Sequence, residues 1–194
     1  EEGSETILRI QKADVEVIGV YSPIHRIGKT QYALQLAKEF AKKGNTLYLN
    51  LEAYAVRQEG EEETGGLTEI LYYLRQGCKN MGIRLETLVK HEEAVDYLVP
   101  IEMYQDLKSV TEEEWKQLLT EIAEKSIYET VVLDIGDAIR GTYGILELCS
   151  CIYTPVVQEE TAHRRLEQYR HNLTAMGLDC VLERTIFVEV RELL

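Results

Sequence analysis

The sequence predicts a three-layer α/β domain, a mostly parallel twisted sheet flanked by helices. Three observations carry the prediction. Strand-like and helix-like patterns alternate from one end of the chain to the other, as they do when helices cover both faces of a parallel sheet. A β-branched apolar run, Val15 to Tyr21, leads through a loop into Gly28-Lys29-Thr30 at the start of a helical pattern. A second apolar run, beginning at Tyr128, ends on the carboxylate of Asp134. At 194 residues, 45% of them hydrophobic, the chain is the size of one domain with a core of its own.

Taken in order, Val15 to Tyr21 is the first strand and Ser22 to Gly28 the loop that follows it. A helix is predicted from about Lys29 to Lys43, because Ala33, Leu36, Ala37, Phe40 and Ala41 recur at helical spacing before the stop at Gly44-Asn45. Thr46 to Leu51 reads as a second buried strand. The polar, acidic stretch from there to about Gly66 is long for a connection in a compact domain, and such loops are usually functional or mobile. Leu67 to Gln76 reads as a short helix closed by Gly77, and Val95 to Ile101 as a strand, while Lys79 to Glu93 fits neither template. Thr111-Glu112-Glu113-Glu114 has the capping-box form, and Trp115, Leu118, Leu119 and Ile122 continue it as a buried stripe. Then come a strand over Thr130 to Asp134, a helix over Ala138 to Leu148 and a strand over Cys149 to Thr154, ending at Pro155. A long helix over Glu159 to Met176 carries Ala162, Leu166, Tyr169, Leu173 and Met176 on one face and stops at Gly177. Thr185 to Val190 is the last strand. No repeat divides the chain, so residues 1–194 are expected to form a single domain, and the start at Glu1-Glu2-Gly3-Ser4, with no Met and no signal pattern, reads as a fragment of a longer protein.

Composition narrows the function. Against 21 Lys+Arg stand 34 Asp+Glu, a net charge of −13, which disfavours broad electrostatic binding to nucleic acid or anionic lipid. The acid gathers in Glu59 to Glu63 and in Glu112 to Glu114, expected as a solvated loop and a helix N-terminus. His163, Arg164, Arg165, Arg170 and His171 give the long helix a basic face, read as solvated in so acidic a chain. Four scattered cysteines make no disulfide framework and point to a reducing cytoplasm. Cys149 and Cys151 would share one face of their strand as core residues, with no second Cys/His pair to make a zinc site. No apolar run is long enough to span a membrane.

The chemistry is concentrated in Val17 to Thr30. A strand, a loop and Gly-Lys-Thr opening a helix is the form of a phosphate-binding loop: backbone N–H groups at the helix start surround phosphate, the Lys neutralises it, and the hydroxyl completes Mg²⁺ coordination. The candidate nucleotide-binding residues are Arg26, Ile27, Gly28, Lys29, Thr30 and Gln31, and the candidate Mg²⁺ residues are Thr30 and Asp134, the latter acting through water. Where the full motif has Gly, five positions before Gly28, this chain has Pro23, which lacks an N–H and fixes φ, so the turn must be built differently.

On these residues the chain resembles the ParA/MinD-like deviant Walker ATPases, a family of P-loop NTPases, and among them the branch found in pilus-assembly and localisation proteins. The resemblance extends over Thr46 to Glu52, Gly66-Leu67-Thr68-Glu69-Ile70-Leu71, Asp134-Ile135-Gly136-Asp137 and Tyr153-Thr154-Pro155. It implies ATP and Mg²⁺ as cofactors and a protein partner. The twelve tyrosines lack a terminal cluster, so the related tyrosine-kinase branch is not supported. The departures are specific. Ile24 stands where the family has its signature Lys, His25 and Arg26 where it has glycines, and Asn50 and Glu52 where it has two aspartates, the first of which helps to position the attacking water. An amide is no carboxylate base and Ile neutralises no phosphate. These changes strip out groups that act on the transition state and spare part of the ground-state binding apparatus. The expectation is an ATP-binding regulatory or assembly module with weak or absent hydrolysis and no assigned catalytic residue. A pseudo-ATPase scaffold that binds no nucleotide, and an active ATPase using Arg26 as its cation, are the alternatives. With Ile24 in place of the signature Lys, a monomer or nucleotide-independent association is expected.

Overall fold

The computed structural model describes residues 15–55 and 66–190. The predicted acidic loop over Glu59 to Glu63 and the N-terminal Glu1-Glu2-Gly3-Ser4 lie outside the described residues. The expected three-layer architecture is present. The strands are β1 (Glu16–Val20), β2 (Thr46–Leu51), β3 (Lys90–Glu92), β4 (Val95–Tyr97), β5 (Thr130–Ile135), β6 (Cys151–Val156) and β7 (Thr185–Glu189). They form one sheet in the order β3-β4-β2-β5-β1-β6-β7. All neighbours are parallel except the β3–β4 hairpin.

Alternation along the strands divides the core between the two faces. On one face Ile18, Val20, Tyr48, Val95 and Val132 pack with Ala33 and Ala37 of α1 (Lys29–Ala41). On the other, Leu47, Leu49, Leu51, Val131, Leu133 and Ile135 lie in the larger cluster. That cluster takes in α2 (Leu67–Arg75), α3 (Met81–Leu88), α4 (Tyr104–Ser109), α5 (Glu112–Lys125), α6 (Thr142–Leu148), α7 (Glu160–Ala175) and α8 (Asp179–Glu183). The capping box of α5 forms as expected: Glu114 N–H donates to Thr111 Oγ1 at 3.2 Å, and Thr111 N–H donates to the Glu114 carboxylate at 2.7 Å.

Four expectations need correction. The strand over Val95 to Ile101 stops at Tyr97. Beyond it Leu98, Val99 and Ile101 remain buried, but the Val99 carbonyl accepts from Leu67 N–H at 2.9 Å and so tethers the start of α2 instead of extending the sheet. The helix over Ala138 to Leu148 begins only at Thr142, because Gly141 precedes it at φ 77°. A Cβ at Gly141 would lie 2.5 Å from the Glu112 side chain, so α6 enters along α5 where only glycine fits. Cys149 belongs to no strand: it is the C-cap of α6 and lies in the larger core, whereas Cys151 packs against the α1 side, so the two do not share a face. Finally, β6 runs through Pro155 to Val156. Its ladder to β1 ends at Val20↔Tyr153, so the missing proline N–H costs no ladder bond there. All four thiols are free, and no helix among the described residues is long and apolar enough to cross a membrane.

Candidate nucleotide site

The parallel strands β1, β2, β5 and β6 present their C-terminal ends on one rim of the sheet. From β1 the chain passes by α1 to β2 on one side, and from adjacent β5 it passes by α6 to β6 on the other. Reversal of direction between neighbouring strands opens a crevice at their C-terminal ends, the usual ligand position of an open α/β sheet. The loop Ser22 to Gly28 occupies that rim.

Ser22 solves the turn that Pro23 makes necessary. Its hydroxyl is buried, donates to the Pro155 carbonyl at 2.7 Å and accepts the Ile24 N–H at 3.1 Å. One side chain thereby fastens the loop entry to β6. Further on, Arg26 holds φ 60° and Gly28 holds φ 76°. Arg26 therefore adopts the left-handed conformation natural to the glycine it stands in for. The first α1 hydrogen bond is Tyr32 N–H to Gly28 O at 2.9 Å. No side chain caps the helix and its first turn carries no acid, which leaves the N–H groups of Lys29, Thr30 and Gln31 at the positive end of the helix dipole.

A cavity of about 200 Å³ opens over these groups, lined by Ile24, His25, Arg26, Gly28, Lys29, Thr30, Gln31 and Glu52. Five of the six nucleotide-binding candidates are thus brought together, and Ile27 is not among the lining residues. Lys29 is 12% exposed at its side chain, and its ammonium is shared among three acceptors: Glu52 Oε1 at 2.7 Å, the Ile135 carbonyl at 2.9 Å and the Asp134 carboxylate in close contact. Asp134 is fully buried and also accepts from the Tyr48 hydroxyl at 3.3 Å. Burial first, and this carboxylate second, push the Tyr48 phenol well above its ordinary range, so it stays protonated and donates to Asp134. Of the Mg²⁺ candidates, Thr30 is exposed in the cavity, and Asp134 lies behind Lys29 outside its lining. The carboxylate that reaches the cavity is Glu52.

Beside this cluster runs a second chain of contacts. Tyr21 Oη donates to Asp137 Oδ1 at 2.8 Å, and His25 Nε2 lies 3.6 Å from Asp137 Oδ2. Burial, reinforced by Asp137, raises the Tyr21 phenol in the same way. Asn50, where the resemblance expects an aspartate, turns its Oδ1 back to accept Glu52 N–H at 2.9 Å and shapes the bend after β2. Sequence reasoning did not assign roles to Glu52 as the Lys29 partner, to Tyr48 or to Ser22. The signal for the first was available in outline: two strands that both end in polar residues after apolar runs, placed side by side, bring Asn50 opposite Asp134.

No protein-family model and no curated protein sequence matches the chain. Solved structures do. A ParA family ATPase from Chlorobium tepidum superposes with a TM-score of 0.70 at 15% identity, over 90% of this chain and 73% of that one. MinD in a MinC:MinD cell division complex from Aquifex aeolicus gives 0.63 at 15% identity, over 90% and 68%. A putative plasmid partition protein from Borrelia burgdorferi bound to AMPPNP gives 0.57 at 14% identity, over 91% and 76%. The chain therefore has the ParA/MinD-like P-loop NTPase fold.

Proposed function

We propose that this domain binds ATP on the loop Arg26 to Gln31 and that occupancy of the site, more than turnover, is its output. The observation that carries the reading is the uncapped N-terminus of α1, with Lys29 at its foot, opening into a cavity at the sheet's switch point. Fold likeness to proteins that include one holding AMPPNP is in keeping with it. Backbone N–H groups and Lys29 would take the β- and γ-phosphates. The donor set suits a hard divalent cation, a hydroxyl on Thr30 with carboxylates on Asp134 and Glu52 nearby. Mg²⁺, when bound with the nucleotide, would supply charge neutralisation between the phosphates; Thr30 and, through water, Asp134 would hold it. The side chain at the water-positioning place is Asn50, which cannot take a proton, so hydrolysis is slow or absent. As in the MinC:MinD complex, the module would act through a protein partner. The four free thiols accord with a reducing cytoplasm.

A second reading has its own support. Lys29 is already claimed by two carboxylates, which is what a retired site kept as a scaffold would show. Calorimetric titration with Mg-ATP, beside Lys29→Ala, separates the two. Saturable heat that weakens about tenfold or more in the variant, the size of one charge-assisted contact, supports nucleotide binding. An absence of heat at millimolar ATP supports the scaffold. Phosphate release by the parent chain that is lost in Arg26→Ala would instead mark an active enzyme.

A further inference from the structure

α7 presents two stripes. Ala162, Leu166, Tyr169 and Leu173 are buried. Beside them Arg165, Gln168, Tyr169 and Asn172, at i, i+3, i+4 and i+7, line a cavity of about 430 Å³. Tyr21 at the end of β1, Pro23 and His25 of the loop and Tyr143 of α6 complete its walls. The volume is in the range of small-molecule sites, and the lining has one distinctive chemistry. None of its residues is acidic, in a chain of net charge −13. Arg164 is held by Glu160 at 2.5 Å, whereas the neighbouring Arg165 has no acidic partner among the described residues. Tyr169 is 3% exposed, and its hydroxyl meets no hydrogen-bond partner among them. Buried hydroxyls are nearly always satisfied, and this one belongs to a side chain of the cavity wall. One exposed acid, Asp137, lies next to the wall, where its carboxylate accepts from the Tyr21 hydroxyl and sits 3.6 Å from His25 Nε2.

We infer that this cavity is a binding site for a small organic anion, a phosphate or carboxylate carried on a flat ring. Arg165 neutralises the charge, the Tyr169 hydroxyl donates to it, and the faces of Tyr21, Tyr143 and Pro23 pack against the ring. His25 lines both this cavity and the one over the phosphate loop, but the anion site does not rest on the nucleotide reading.

The test titrates the full chain with phenyl phosphate, benzoate and inorganic phosphate, followed by calorimetry and by tyrosine NMR shifts. Saturable binding of at least one ring anion, tighter than inorganic phosphate, is expected. It should weaken about tenfold or more in Arg165→Gln, less in Arg165→Lys and severalfold in Tyr169→Phe. Arg165 is exposed, so its variants should melt with the parent, and Lys29→Ala should bind the ring anion as the parent does. Saturation by phenyl phosphate alone, or by benzoate alone, supports the site and identifies the charged group. Binding that survives Arg165→Gln, binding lost in Lys29→Ala, or no saturation by either ring anion overturns the site. Failure of ATP to bind would leave it standing.

Discussion

Glu52→Gln should tighten ATP binding, and the structure says by roughly how much. On the proposed nucleotide reading Lys29 is the charge that a γ-phosphate would recruit, and Glu52 Oε1 holds it at 2.7 Å. At an effective dielectric of about 20, such a pair carries about 6 kcal/mol of gross Coulomb energy. The Glu52 side chain is 30% exposed and Lys29 12%, so water returns most of that energy when the pair opens, leaving roughly 1–2 kcal/mol net. Because Glu52 also lines the cavity, its charge repels the incoming phosphates in the same direction. Converted to affinity, the substitution is expected to lower Kd for ATP by about 5- to 30-fold. The measurement is calorimetry with ATP in EDTA, where no cation can borrow the carboxylate, followed by Mg-ATP. Unchanged or weaker binding in EDTA would refute the view that Glu52 is an internal competitor for Lys29.

Other consequences are cheaper to check. A Cβ at Gly19 would lie 2.8 Å from Cys149 Sγ and 3.3 Å from Ile135 Cδ1, so Gly19→Ala should cost about 1–3 kcal/mol in urea unfolding. Adding Cys149→Ala should return part of that loss, and strict additivity would show that the clash is relieved elsewhere. Burial pushes the Cys149 thiol up to about 12, so in the native protein at pH 8 it should resist iodoacetamide while the partly exposed Cys78, Cys151 and Cys180 react. Early alkylation of Cys149 would contradict its place beneath Gly19. The Glu114 carboxylate is held below its ordinary value of 4.5, first by its hydrogen bond to Arg75 and then by the Thr111 N–H. A depressed folded pKa gives stability that is present above the unfolded value and is lost as pH falls through the folded one. Glu114→Gln should therefore flatten the acid-side decline of stability below about pH 4.5, and an unaltered slope would assign that decline to other carboxylates.

Those residues also show where the sequence was readable. α1, β2 and α5 could be placed closely because each carries a local cause: a 3.6-residue apolar period, a short apolar run directly after the Gly44-Asn45 stop, and a capping box. α4 and α8 went unseen because six and five residues are too few to show a period, and their ends are set by packing. Lys90–Glu92 is polar throughout and becomes a strand only because β4 lies alongside it. The start of α6 was misplaced because the decisive contact, Glu112 against Gly141, joins residues far apart in sequence. The site divides in the same way. Gly28, Lys29, Thr30 and Asp134 announce themselves through residue type at strand and helix ends, whereas the sharing of Lys29 among Glu52, Asp134 and Ile135 depends on the parallel register of β2 and β5, which local pattern does not encode.

Two of the departures from the motif are tied into the fold of the domain. Ile24 is 7% exposed and lines a cavity with Ala162 and Leu166 of α7, and the Pro23 turn is held by Ser22 through the Pro155 carbonyl. The loop entry is thus fastened to its own domain. The charges behave oppositely: Lys29 is shared between the carboxylates of Glu52 and Asp134. Shape is prepared and charge is spent internally, so affinity should be limited by charge. It follows that Pro23→Gly, which restores the motif residue but no charge, should leave ATP affinity within about threefold, the change expected from a few tenths of a kcal/mol of backbone entropy. Ser22→Ala, which strips two buried hydrogen bonds, should weaken it more. A tenfold gain from Pro23→Gly, with no response to Glu52→Gln, would mean that the proline turn is the obstacle and that the ion cluster merely fills the space behind it.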